Sequence, residues 1–206
     1  VRIEDANGNL TSSTASVTLA IGTNPSSGTL SGTATVSAVA GVATFTGLSI
    51  NKAGTGYTLG ATSGALTAAT SNTFNITAGT ASKLTFGVQP SNAVAAASIS
   101  PDITVRIEDA NGNLTSSTAS VTLAIGTNPS SGTLSGTATV NAVAGVATFS
   151  GLSIDKVGTG YTLAASSTSL TGATSSTFNI TAGTASKYLV TSSNYSPVVG
   201  ANVTIT

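Results

Sequence analysis

The sequence predicts an all-β protein built as two-sheet β-sandwiches in tandem, and three observations carry that expectation. The first is a repeat. Residues Val1–Val36 recur without a change at Val105–Val140, so that residue n matches residue n + 104. Carried on to Thr80 and Thr184, the match is broken at only about ten positions, among them Ser37/Asn141, Asn51/Asp155 and Gly60/Ala164. A period of this size is too long for one turn of a solenoid and fits a whole domain repeated in tandem. The second observation is that apolar residues recur with period 2 and nowhere form a 3.6-residue stripe. The third is the regular punctuation of these runs by turn-forming clusters.

Along the first copy, Val17, Leu19 and Ile21 alternate with Ser16, Thr18 and Ala20. Ala43 and Phe45 continue the pattern, followed by Tyr57, Leu59 and Ala61 and then by Phe74 and Ile76. At the junction with the second copy, Ile103, Val105 and Ile107 alternate with Thr104, Arg106 and Glu108, giving a strand with one wet face. Turn signals lie between the runs: DANGN at Asp5–Asn9, TNPSSG at Thr23–Gly28, AGV at Ala40–Val42 and AGTG at Ala53–Gly56. Thr and Val favour strands through β-branching, whereas Gly and Ser weaken helices. About seven short strands in roughly 100 residues, with no helical stripe, describe a two-sheet sandwich. Tyr57 and Tyr161, each in GTGYTL at the entry to a late strand, fit a tyrosine corner, with the ring in the core and the hydroxyl bonded back to nearby backbone. In the second copy Phe86, Ile107, Val121, Leu123, Phe149, Tyr161 and Phe178 are expected to share one core.

The DANGN turn, the stretch GVATFTGLSI and the stretch KAGTGYTL together resemble the bacterial immunoglobulin-like repeats of the invasin and intimin type. The resemblance covers the whole chain. It implies tandem immunoglobulin-like Greek-key β-sandwiches in a large surface or extracellular filament or adhesin protein, and little about function, since such domains serve as spacers in unrelated proteins. On this pattern a unit begins at Ser82–Ser91 and ends at Thr177–Thr181. Residues 1–80 are then a repeat lacking its first strand, and 81–184 a complete repeat. Residues 185–206 are the first strand or strands of a further repeat, or a donor strand for the next subunit. The joint ITAGTASK is short, so neighbouring units are expected to nearly touch.

Composition narrows the function. Charged residues make up 6% of the chain, the six basic and six acidic residues cancel, and Cys, Met, Trp and His are absent. Without a basic excess there is no electrostatic footprint for nucleic acid. No apolar run approaches the length of a membrane span, so none is expected in this segment. Without His or Cys, and with no partner to activate the many Ser and Thr hydroxyls, no catalytic set can be named, and an enzyme is not expected. No cofactor and no metal site are assigned. The turns Glu4–Asn9 and Glu108–Asn113 could lend oxygens to calcium. The joint ITAGTASK carries no carboxylate, however, and Asp with Asn-Gly is first of all turn chemistry. Lys52, Lys83, Lys156 and Lys187 sit in polar or Gly-rich sequence and read as exposed, which argues against a Lys–Asn isopeptide bond. Glycosylation sequons occur at Asn9, Asn75, Asn113, Asn179, Asn194 and Asn202.

Two functions from different classes remain. In the first, the chain is a structural, non-catalytic stretch of a stalk, rod or filament of an extracellular or bacterial cell-surface protein. Its partners are covalent repeats or self-association, with β-strand exchange between subunits through 185–206. In the second, it is an adhesin module that holds a glycan or surface partner. That reading wants exposed rings for stacking, and Tyr188 and Tyr195 are the unpaired candidates. A third idea, binding to ice or crystal surfaces, wants a regular Thr ladder, and the sequence offers only pieces such as Thr33-Ala34-Thr35.

Overall fold

The computed structural model describes residues 1–191 and Val199. Among these residues there are twenty short strands and no helix, and the fold is the all-β immunoglobulin-like sandwich that the period-2 pattern predicts. In the second copy, Ile103–Glu108 pairs antiparallel with Lys83–Val88 on one side and with Val146–Phe149 on the other. A four-stranded sheet runs Thr139–Asn141, Ser120–Ile125, Leu163–Ser166, Ala173–Thr174. Phe178–Thr181 lies between Gly158–Tyr161 and Ala93–Val94. The inward residues of all these strands meet in one core. Ile107, Val121, Leu123, Phe149, Tyr161 and Phe178 are buried there with Ile99, Leu152, Ile154, Leu163 and Ile180, and Phe86 packs half-buried against them. Each such Leu, Ile or Phe contributes about 1.5–3 kcal/mol through burial.

The outer faces are finished with hydroxyls rather than charges. The Thr122 and Thr139 hydroxyl oxygens lie 2.9 Å apart across paired strands, and Thr18 and Thr35 repeat the contact at 2.9 Å. Such cross-strand pairs support a sheet from its wet side, which lets a chain so poor in charge keep a polar surface.

Residues 83–99 close one flank of the second copy. Leu84 N–H donates to the Thr171 carbonyl at 2.8 Å, Ala96 N–H to Ile154 at 2.8 Å and Ile99 N–H to Leu152 at 2.8 Å. Gln89 Oε1 accepts from Ser176 N–H at 2.9 Å, and Asn92 Oδ1 from Asn179 N–H at 2.7 Å. The matching flank of the first copy is open. Phe149, Leu152, Ile154 and Phe178 are at most 2% exposed, whereas their counterparts Phe45, Leu48, Ile50 and Phe74 are only half-buried. Shallow cavities of about 310 and 390 Å³ lie along that side, lined between them by Val1, Ile3, Leu19, Leu59, Ala61 and Ala69. Val146–Phe149 is a strand, but the identical Val42–Phe45 makes only isolated bridges, from Val42 to Arg2 and to Val39, and two bonds between Val1 and Ala43. The donor role expected of 185–206 rests largely on residues outside those described, as does Tyr195. Tyr188, Leu189 and Val190, which are described, are exposed.

One turn expectation is corrected. Ala53–Gly56 is not a connection, because Gly54–Tyr57 is itself a strand paired with Phe74–Ile76. The register slips between Gly54 and Tyr57, and Gly56 sits at φ 87°. Its N–H is taken by the Asn75 side-chain carbonyl at 3.0 Å. A glycine-rich stretch serves a bulge as well as a turn, and here the ladder bond lost at the bulge is replaced by a side chain. The other clusters are turns. Ala40 (φ 48°) and Gly41 (φ 78°) form the two-residue hairpin loop that needs positive φ at both positions. Asn24 clamps its own loop by accepting from Gly28 N–H at 2.7 Å and donating to the Gly28 carbonyl at 2.8 Å.

The tyrosine corner is present in both copies. Tyr57 and Tyr161 are fully buried, and their hydroxyls donate to the carbonyls of Lys52 and Lys156, each at 2.9 Å. The bond reaches five residues back and fixes the loop before the strand. Replacing Tyr161 by Phe keeps the ring and strands the Lys156 carbonyl, and is expected to cost about 1–2 kcal/mol. Denaturant melts of the chain check this, and an unchanged midpoint would reduce the tyrosine to a packing ring.

Candidate functional site

Among the described residues the most elaborate polar arrangement lies where the two copies meet, and the second DANGN turn builds it. Asp109 closes that turn by accepting at Oδ1 from the N–H groups of Asn111 and Asn113, both at 2.9 Å. Such a side chain mimics a turn of backbone, and Gly112 (φ 77°) supplies the left-handed residue the loop requires. The same turn then reaches out of its own copy. Asp109 Oδ2 accepts from Gly79 N–H at 2.8 Å as well as from Asn113 Nδ2 at 2.9 Å. The Asn113 side chain accepts from Ala53 N–H at 3.0 Å and donates to the Asn51 carbonyl at 3.0 Å. Lys52 Nζ donates to the Asn111 carbonyl at 2.8 Å.

Four bonds therefore tie the first copy to the turn of the second, and three of them use backbone groups of the first copy. Lys83 closes the cluster, with Nζ 3.5 Å from the Ala110 carbonyl and its strand position opposite Glu108. A crevice of about 480 Å³ runs beside the joint between Thr77–Ala81 and Leu114–Ser117.

Burial separates two turns of identical sequence. Asp109 and Asn113 are 3% and 9% exposed, whereas Asp5 and Asn9 lie in solvent. Burial alone would push the Asp109 carboxyl up. The N–H donors of the Asn113 side chain, the Asn113 backbone, Gly79 and Asn111 outweigh it and hold the group down at about 2. Asp5 is also lowered, chiefly by the Asn9 side chain and backbone. The first turn is thus already shaped: Asp5 Oδ1 accepts from Asn7 N–H at 2.9 Å and from Asn9 N–H at 2.8 Å.

Three expectations change here. The segment ITAGTASK has no carboxylate of its own, yet the joint receives one, because Asp109 arrives from the following copy. Lys52 and Lys83 are half-buried and engaged rather than free. The Asn113 sequon is buried, with both side-chain atoms bonded. Both Asp109 oxygens are filled by N–H donors, which is the turn chemistry set against calcium from the sequence. Among the described residues no group of three or more His, Cys, Asp or Glu could hold a metal ion, and no helix is long and apolar enough to cross a membrane.

No family model matches the chain, and no curated protein matches it. Among solved structures it is similar to surface layer protein SbsC, domains 4-9, at 15% identity and a TM-score of 0.39, covering 99% of this chain and 30% of that one. It is also similar to the D0-D1 domain of intimin, at 16% identity and a TM-score of 0.34, covering 87% of each chain.

Two outcomes follow from the joint. Replacing Asn113 by Ala removes the partners of Ala53 N–H and the Asn51 carbonyl, at a cost of about 1–3 kcal/mol. The same change at exposed Asn9 costs less. Hydrogen exchange at the Ala53 amide reads the difference, and is expected to be faster in N113A and unchanged in N9A. The second outcome concerns pH. A carboxyl held at about 2 in the folded chain, against roughly 3.9 when unfolded, stabilises the fold above the unfolded value. That contribution is lost as pH falls through the folded one. Protection at Gly79 is therefore expected to hold down to about pH 4 and to weaken from there toward pH 2. An Asp109→Asn variant, lacking the charge, is expected to show little of that dependence.

Proposed function

We propose that the chain is a non-catalytic, load-bearing stretch of a stalk, rod or filament of an extracellular or cell-surface protein, made of immunoglobulin-like units joined end to end. The observation that carries this reading is the joint. Units tied only by a few small residues swing freely unless something fixes them. Here a buried carboxylate, a buried amide and a lysine fix one copy on the next through four hydrogen bonds. A fully satisfied buried network rigidifies the elements it joins, which suits a chain that must hold a direction. The sequence resemblance of the DANGN, GVATF and GTGY stretches to bacterial surface repeats supports the location.

In this reading the units are 1–80, 81–184 and one beginning at 185. The open flank of the first copy receives a segment of the 83–99 kind from its neighbour. Strand addition of this type combines ladder bonds with buried apolar side chains. Electron microscopy of the native material tests the whole. A thin projection with an axial beat of one unit is expected, and removal of residues 185–206 is expected to disrupt it. Compact particles with no axial beat would overturn the structural role, and a fibre indifferent to the deletion would overturn the strand addition.

A further inference from the structure

We infer that the far end of the second copy, at Asp155–Val157 and Gly183, is a preformed docking face for a D-x-N-G-N turn, its occupant being the Asp5–Asn9 turn of a second copy of this chain. The inference rests on the array reading above and names the contact by which it would extend.

The first copy shows what such a face is made of: the Asn51 carbonyl, the Ala53 N–H, the Gly79 N–H and the Lys52 ammonium. The second copy repeats each of them at Asp155, Val157, Gly183 and Lys156 within matching sequence, ITAGTASK included. The substitutions Asn51/Asp155 and Ala53/Val157 keep the backbone groups that the first copy uses at those positions.

The loop is also held in the same way. Tyr161 fixes the Lys156 carbonyl at 2.9 Å as Tyr57 fixes Lys52. Asp155 Oδ1 accepts from Thr133 N–H at 2.7 Å, as Asn51 Oδ1 does from Thr29 N–H at 2.8 Å. What differs is occupancy. Lys52 and Ala53 are half-buried beneath the Asp109 turn, whereas Lys156 is exposed and Val157 is 51% exposed.

The occupant is equally ready. The Asp5–Asn9 turn is closed by the internal bonds that Asp109 makes in its own turn, and it presents the Asp5 and Asn9 side chains to solvent. Because the Asp155–Val157 loop and the Asp5–Asn9 turn are each held by bonds of their own, the contact avoids much of the ordering cost that weakens flexible interfaces.

The test is a titration of isotopically labelled full chain with rising concentrations of unlabelled full chain, followed by amide NMR. Amide shifts at Lys156, Val157 and Gly183 are expected with wild-type chain and are expected to vanish when the added chain carries Asn9→Ala or Asp5→Ala. Absence of those shifts at millimolar chain, or their persistence with Asn9→Ala, overturns the proposal. Shifts confined to Leu59, Ala69 and Phe74 also overturn it, because they place the contact on the open flank. Either failure is distinct from failure of the array reading, which the native fibre reports independently.

Discussion

A buried carboxylate has to be surrounded by N–H donors, and Asp109 meets that demand with donors from both copies. This one constraint organises the joint. The charge draws its own turn closed through Asn111 and Asn113, and the remaining oxygen is shared between Asn113 Nδ2 of the same turn and Gly79 N–H of the preceding copy. In a chain with 6% charged residues, few other groups exert comparable direction. Amides, hydroxyls and backbone do the rest, from the Asn24 clamp to the paired threonines on the outer sheets.

The repeat makes the chain its own control. The two copies differ at only about ten of eighty matched positions, so where identical stretches behave differently the cause lies in their neighbours. Val146–Phe149 forms a strand where Val42–Phe45 does not. The longer copy has Ile103–Glu108 as a partner strand, itself backed by Lys83–Val88. Propensity supplied the same preference twice, and pairing decided which copy expressed it. The tyrosine corners show the opposite behaviour. They are alike in both copies, at 2.9 Å each, because the carbonyl they hold is only five residues away.

That contrast explains what was legible beforehand. Alternation in Ser120–Ile125 placed Val121 and Leu123 in the core and Thr122 outside, and the corner was legible from the position of Tyr161 before a late strand. Local chemistry over a few residues is readable in this way. The joint was not, because Asn113 finds its partners about sixty residues back, on the main-chain atoms of Asn51 and Ala53. Backbone acceptors and donors leave no mark in a sequence. The turn itself was visible, but its second use was not, since Asp with Asn-Gly accounts for a loop without any further role. The bulge at Gly56 was hidden for a related reason: glycine marks an unusual φ and does not say whether a turn or a strand needs it.

Reliance on main-chain atoms at the joint has a consequence for how the gene can change. Side chains at Asn51 and Ala53 are free to drift, as Asn51/Asp155 and Ala53/Val157 already have, because the groups used there are backbone. A duplication or loss of one whole 104-residue period returns every donor opposite its acceptor. An insertion of a few residues within 76–83 would instead shift Gly79 away from the Asp109 carboxylate. A change of length would therefore preserve the joint only when it moves in whole units, with the 104-residue spacing kept fixed.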